Sequence, residues 1–96
     1  MTKLVSVTKS AKPGKKWDFV FEKDGKQFKR SVGDSTMEDY TQHHDTKRRD
    51  SYRQRHAKDL QTNDPTRPGY ISYYVLWGDS TSFQDNLRAY KRRFGL

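Results

Sequence analysis

Residues 43 to 56, "HHDTKRRDSYRQRH", gather all three histidines of the chain, four arginines and a lysine into fourteen positions. Three chemistries could use such a stretch: metal ligation by imidazole, general acid–base catalysis, or contact with a polyanion. His43 and His44 are adjacent, and His56 lies twelve residues on. Neither spacing matches the i, i+4 pair of a helical metal site or the paired ligands of a finger. The sequence therefore leads us to expect unliganded histidines and neither metal nor other cofactor. No phosphate-cradling glycine loop, serine elbow or telling carboxylate pair occurs, so we expect no enzyme and no small-molecule substrate.

Polyanion contact is the stronger chemical reading. Lys47, Arg48, Arg49, Arg53, Arg55 and Lys58 would ring a helix, with Tyr52 offering a ring face. Lys91, Arg92 and Arg93 form a second cluster, and Lys12, Lys15 and Lys16 flank an N-terminal turn. Phosphate contacts by such groups release counterions and give binding that weakens steeply with salt. The competing reading is an ion-paired, solvated face. Local charge favours that competitor: residues 34–66 carry six Lys/Arg against seven Asp/Glu, whereas residues 1–33 carry nine against three. Tyr73 and Trp77, within "GYISYYVLW", suit core packing or protein contact better than base stacking.

The whole chain bounds these readings. Its 96 residues suffice for one domain, residues 1–96. Only 30% of residues are hydrophobic and 14% are aromatic, so the core must be thin and built largely from rings. The net charge of +8 attracts acidic proteins, nucleic acid or anionic lipid. There is no cysteine, which excludes disulfides and thiolate sites and suits an intracellular protein. No apolar run is long enough for a signal peptide or a membrane span.

The elements that must position these side chains are legible in outline. In residues 1–33, "KLVSVTKS" alternates, with Leu4 and Ser6 on one face and Val5 and Val7 on the other. "WDFVFEK" sets Trp17, Phe19 and Phe21 on one face, "KDGK" is a two-residue hairpin signal, and "KQFKRSV" aligns Phe28, Arg30 and Val32. The expectation is a three-stranded antiparallel meander.

Residues 34–96 read as the helical part. Met37 and Tyr40 are the expected anchors of the polar stretch after the sheet. A helix begins at Asp45 as cap, with Arg49, Tyr52, His56 and Leu60 on one stripe. Residues 70–77 fit a strand by alternation and a helix by the Tyr70, Tyr73, Tyr74, Trp77 stripe. Pro68 before them and Gly78 after them favour the helix. Ser80 or Thr81 would cap a last helix, with Thr81 and Gln84 as a capping box. Phe83, Leu87, Tyr90 and Phe94 would form its apolar face, and Gly95 its end. The expected fold is α+β: the meander followed by about three helices.

Across residues 39–95 the chain resembles a family of small basic proteins encoded by nucleocytoplasmic large DNA viruses. The pattern here is Asp39-Tyr40-Thr41, His44, Asp45, Arg48-Arg49, Tyr52, Arg55-His56, Pro68-Gly69, Ser72, Leu76-Trp77-Gly78 and a closing basic helix with Arg93-Phe94. Arg67 stands where relatives often place a small capping residue. The resemblance implies a viral origin, with the virion and the host cytoplasm during assembly as location; it implies no reaction.

We read the motif as bracing: Arg48, Arg49, Arg55 and His56 would bridge Asp39 or Asp45 and backbone carbonyls. The expected function is a small basic minor capsid or other virion structural protein. Its partners would be acidic faces of larger viral capsid proteins. The alternative is sequence-nonspecific binding of DNA or RNA in packaging.

Overall fold

The computed structural model describes residues 1–96. Three antiparallel strands, β1 (Thr2–Lys9), β2 (Lys15–Lys23) and β3 (Lys26–Asp34), pair in the order β1-β2-β3. Four helices follow: α1 (Tyr40–His43), α2 (Thr46–His56), α3 (Pro68–Ile71) and α4 (Phe83–Phe94). The protein is an α+β fold. A 3-10 segment, Ala57–Thr62, extends α2, and α3 continues as a π-helical turn, Ser72–Leu76. No helix is long and apolar enough to cross a membrane.

The β2–β3 turn forms because Asp24 and Gly25 both take positive φ, 53° and 79°, as a type I′ hairpin requires. Phe19 and Phe21 are fully buried and pack with Val32 of β3. In β1, strict alternation fails. Leu4 faces Phe21, but the register shifts between Leu4 and Ser6, and Val7 faces Phe19. The extra residue, Val5, changes the parity of the strand. Leu4 and Val7 therefore both pack on the core, instead of on opposite faces, and Val5 is 48% exposed.

Helix geometry holds over 68–76. Pro68 occupies the first turn, where its missing N–H leaves no bond unmade. The buried side chains, however, are Tyr70, Ile71, Val75 and Leu76; Tyr73, Tyr74 and Trp77 sit half-buried at the flank. Ile71 and Val75 join Phe19, Phe21, Val32 and Tyr90 of α4 in one core cluster. Trp17 stacks on Phe83 at 4.5 Å. Met37, expected as an anchor, is 60% exposed, whereas Tyr40 is buried.

The cap of α4 is Ser82, whose side chain accepts the Asp85 N–H, and not Ser80 or Thr81. The reason lies in Asn86, a polar residue on the apolar face of α4. Its Nδ2 donates to the carbonyls of Val75 (2.9 Å) and Ser80 (2.7 Å), and its Oδ1 accepts the Ser80 N–H (2.9 Å). Asn86 thus claims Ser80 and moves the cap down the chain. Gly78 fits beneath it: an added Cβ would lie 2.3 Å from the Tyr74 carbonyl oxygen and 2.6 Å from Asn86 Cγ.

Gly78→Ala is expected to cost about 2–3 kcal/mol by forcing this joint apart, read as a lower urea midpoint. Asn86→Ala, which leaves three backbone groups without partners, should cost about 3 kcal/mol. The double variant should cost less than the two together, because one clash partner has gone.

Candidate functional site

α1 is a single turn that the sequence reading missed. Asp39 caps it, accepting the Thr41 N–H, while the Asp39 N–H donates to Gln42 Oε1 in a capping box. His44 in the left-handed region (φ 59°) ends α1, and Asp45 then caps α2 by accepting the Lys47 and Arg48 N–H groups. The two caps turn "DYTQHHD" into a tight corner that aims α2 past Trp77 and Asp79.

A helix turns about 100° per residue, and this divides the cations of α2 between two sides. Arg49, Tyr52 and Arg53 face the stretch Tyr73–Asp79, with His56 stacked beside Tyr52, whereas Arg48 and Arg55 rotate away. Arg49 lies over the Tyr40 ring (4.9 Å) and bonds Asp50 and the Asp79 carbonyl. Arg53 donates from Nε to the Trp77 carbonyl and from Nη2 to Asp79, each at 2.8 Å. The bracing arginines are therefore Arg49 and Arg53. Arg48 and Arg55, expected to bridge acids, form no ion pair; Asp39 takes Lys16 Nζ at 2.8 Å instead, and Asp45 serves only as a cap.

The rings between these residues form a column. Tyr52 stacks on Trp77 at 4.2 Å with 6° between planes, and on His56 at 4.2 Å. Trp77 in turn meets His43 at 5.2 Å, and His43 meets the Tyr40 edge. His43 Nδ1 accepts the Asp45 N–H, so its Nε2 carries the proton; that atom is buried without a partner. His56 Nδ1 lies 3.1 Å from Asp59 Oδ2, and His44 Nε2 contacts the Thr41 carbonyl. No three His, Asp or Glu side chains converge where a metal ion could sit. Burial raises the Tyr52 phenol above its ordinary pKa.

Beside this column runs a cleft of about 670 Å³. One wall is Lys47, Arg48 and Arg55 of α2, all exposed. The floor includes Val32, Tyr52, Leu76 and Trp77, and the far wall is the β3 edge with Asp34 and Glu38. Lys15, Lys16, His56, Pro68, Gly69 and Ser72 also line it. Nine residues of the sequence pattern, drawn from α2 and from 68–77, thus meet at one cavity.

The remaining candidates lie apart. Lys12 sits in the β1–β2 turn, and Lys58 in the 3-10 segment. Lys91, Arg92 and Arg93 are exposed at the end of α4, with Arg93 over the Tyr74 ring. Tyr73 lies under Arg53 at 5.5 Å.

A family model, "Family of unknown function (DUF5754)", matches residues 5–56, more than half of the chain. The chain belongs to the DUF5754 family. The DUF5754 match takes in the meander from Val5 onward, α1 and α2, and ends on the last residue of α2. The match includes residues 5–33, on which the resemblance drawn from the sequence did not rest, and stops short of Pro68-Gly69, Ser72, Leu76-Trp77-Gly78 and Arg93-Phe94. No curated protein and no solved structure matches the chain.

Several carboxylates brace the same scaffold. Asp18, on the outer face of β2, accepts from the Ser31 and Ser10 hydroxyls at 2.7 Å each, with Lys29 at 3.9 Å. The Ser31 bond foremost holds its carboxyl below the ordinary 3.8. The hydroxyls of Thr36 and Thr66 do the same for Asp34 and Asp64, and Arg53 does so for Asp79.

Groups depressed in the folded state stabilise it above their unfolded pKa, and that contribution is lost as pH falls through the folded value. The urea midpoint should therefore change little down to about pH 5 and drop below about pH 4. Asp18→Asn should shallow that acid limb.

Proposed function

We propose that this DUF5754 protein is a small structural component of a virion, a minor capsid or related particle protein, that docks by charge on acidic faces of larger coat proteins and turns over no substrate. The observation that carries this reading is a division of labour among side chains. Tyr52 lies between the rings of Trp77 and His56, Trp77 meets Tyr52 and His43, and Trp17 has one face on Phe83, so the ring column offers no open platform for bases. The cations are largely unspent: six of the twenty Lys/Arg side chains take a carboxylate partner within 4.0 Å, and fourteen do not. Charge complementarity is then the main recognition the surface offers, and it gives orientation and fast encounter. The resemblance to small viral basic proteins supplies the particle context. A thin core suits a protein that gains stability from the partner it binds.

Locating the protein in purified particles tests this directly. Stripping the genome should leave it with the shell; release with the nucleic acid, or absence from the particle, would refute it. One observation favours a second reading. Lys91 and Arg92, in the last turn of α4, have no carboxylate partner, as phosphate contacts require. A nucleic-acid binder would retain duplex DNA near physiological salt and lose it steeply as salt rises; failure to bind there removes this alternative.

A further inference from the structure

The cleft beside α2 has features that the charge of the whole surface does not explain. Ser31, Val32, Gly33 and Asp34 are consecutive in β3, and all four line it. Successive strand residues point to opposite faces, so a cavity that touches all four runs along the strand edge. β3 is an edge of the sheet, and no backbone hydrogen bond outside its pairing with β2 uses Ser31, Val32 or Gly33. Gly33, at φ +81°, lets Leu76 and the Lys16 stem close over it, an added Cβ lying 3.1 Å from Leu76 Cδ1 and 3.2 Å from Lys16 Cβ. The other edge, β1, carries the Val5 bulge, a common device for discouraging pairing. Across the cleft stand Arg48 and Arg55, two turns apart on α2 and without ion-pair partners.

Resting on the reading that the protein docks on acidic proteins, we infer that this cleft receives an extended acidic peptide segment of the partner. The segment lies along the free edge of β3 and takes backbone hydrogen bonds from it. Its carboxylates on one side meet Arg48 and Arg55, and neutral side chains on the other face β3. Strand addition of this kind takes affinity from the main chain and specificity from alternate side chains. A phosphate backbone fits less well. Asp34 and Glu38 on the β3 side would repel a continuous run of negative charge, and the floor rings present no free faces. A peptide can put carboxylates toward α2 and neutral groups toward β3.

The test uses the full chain near physiological salt. The probes are a capped decapeptide alternating Glu and Val, the same peptide with Pro in place of Val, and an oligothymidylate of ten nucleotides. The Glu-Val peptide is expected to bind. Arg48→Gln with Arg55→Gln should weaken it by about tenfold or more, the loss of two charge-assisted contacts. Lys23→Gln with Lys26→Gln, at the hairpin tip, should change it by less than about twofold, as screened remote charges do. The Glu-Pro peptide, equal in charge but unable to pair, should bind at least about tenfold more weakly.

Equal losses from both pairs of substitutions, or equal binding of the two peptides, overturn the cleft while leaving charge-driven docking intact. Oligothymidylate held through Arg48 and Arg55 at least as tightly as the Glu-Val peptide overturns it in favour of nucleic acid. Failure of every acidic probe to bind overturns both the cleft and the docking on which it rests. Unchanged melting temperatures of the Arg48/Arg55 variant, whose side chains are exposed and unpaired, show that folding is not the cause of any loss.

Discussion

Asp39→Ala is expected to cost about 3–5 kcal/mol of folding stability. A 96-residue domain has roughly 5–14 kcal/mol in all, so the variant should be largely unfolded at moderate urea. Two losses combine. Asp39 is 3% exposed and holds Lys16 Nζ, whose side chain is only 13% exposed; removing the acid leaves a nearly buried ammonium with only Gln42 Oε1 beside it. The same carboxylate accepts the Thr41 N–H and hydroxyl, so the cap of α1 goes too, and with it the corner that aims α2. Lys16→Met should be milder, because Asp39 keeps its bonds to Thr41 and the methionine fills the same space. A double-mutant cycle read by urea unfolding should show strong coupling between the two positions. Additivity would mean that the pair is incidental.

The second large effect is expected at Tyr52. Its ring lies between Trp77 and His56, and each well-placed aromatic pair contributes about 0.5–1.5 kcal/mol beyond its area burial. Tyr52→Ala removes both stacks and opens a gap between α2 and the end of the π-helical turn. The expected cost is about 3 kcal/mol, or a fall in Tm of roughly 12–20 °C for a domain of this size. Tyr52→Phe keeps both stacks and should lie within about 1 kcal/mol of the parent. The comparison matters because an exposed reading platform would show the reverse pattern: little change in Tm on truncation and a large change in ligand affinity.

Local signals carried the parts of this fold that depend on neighbours in sequence. Asp24-Gly25 marks its own hairpin, the Trp17, Phe19, Phe21 alternation faces the core, Asp45 caps α2, Pro68 opens α3 and Gly95 closes α4. What escaped depends on contacts distant along the chain. A one-residue bulge at Val5 reverses half a strand without any marker in "KLVSVTKS". The choice of Ser82 over Ser80 as cap follows from Asn86, which needs the Val75 carbonyl eleven residues away. Asn86 did leave a sign: a polar residue between Phe83 and Leu87 on an apolar stripe implies a buried amide with partners.

The arginine assignments went astray for a similar reason. The composition of 43–56 announces ion pairs, but the angular position of each residue on α2 decides which arginines meet Asp79 and Trp77 and which face the cleft. The basic partner of Asp39, Lys16, lies in β2, twenty-three residues earlier, beyond the reach of any motif. The site accordingly has two parts: Arg49, Arg53, His56 and the ring column hold the helices together, and Arg48 and Arg55 keep their charge available beside an open strand edge.

The central claim is that the aromatic residues of the Arg–His region are consumed in bracing and leave no ring face for recognition. Trp77 reports on it directly. Trp17→Phe, which preserves a ring against Phe83, leaves Trp77 as the sole tryptophan. Its emission is then followed during titration with single-stranded oligonucleotide near physiological salt. With both neighbours of Trp77 in place, the emission should stay unchanged in intensity and wavelength. Saturating quenching, the signature of a base stacked on the indole, would contradict the account.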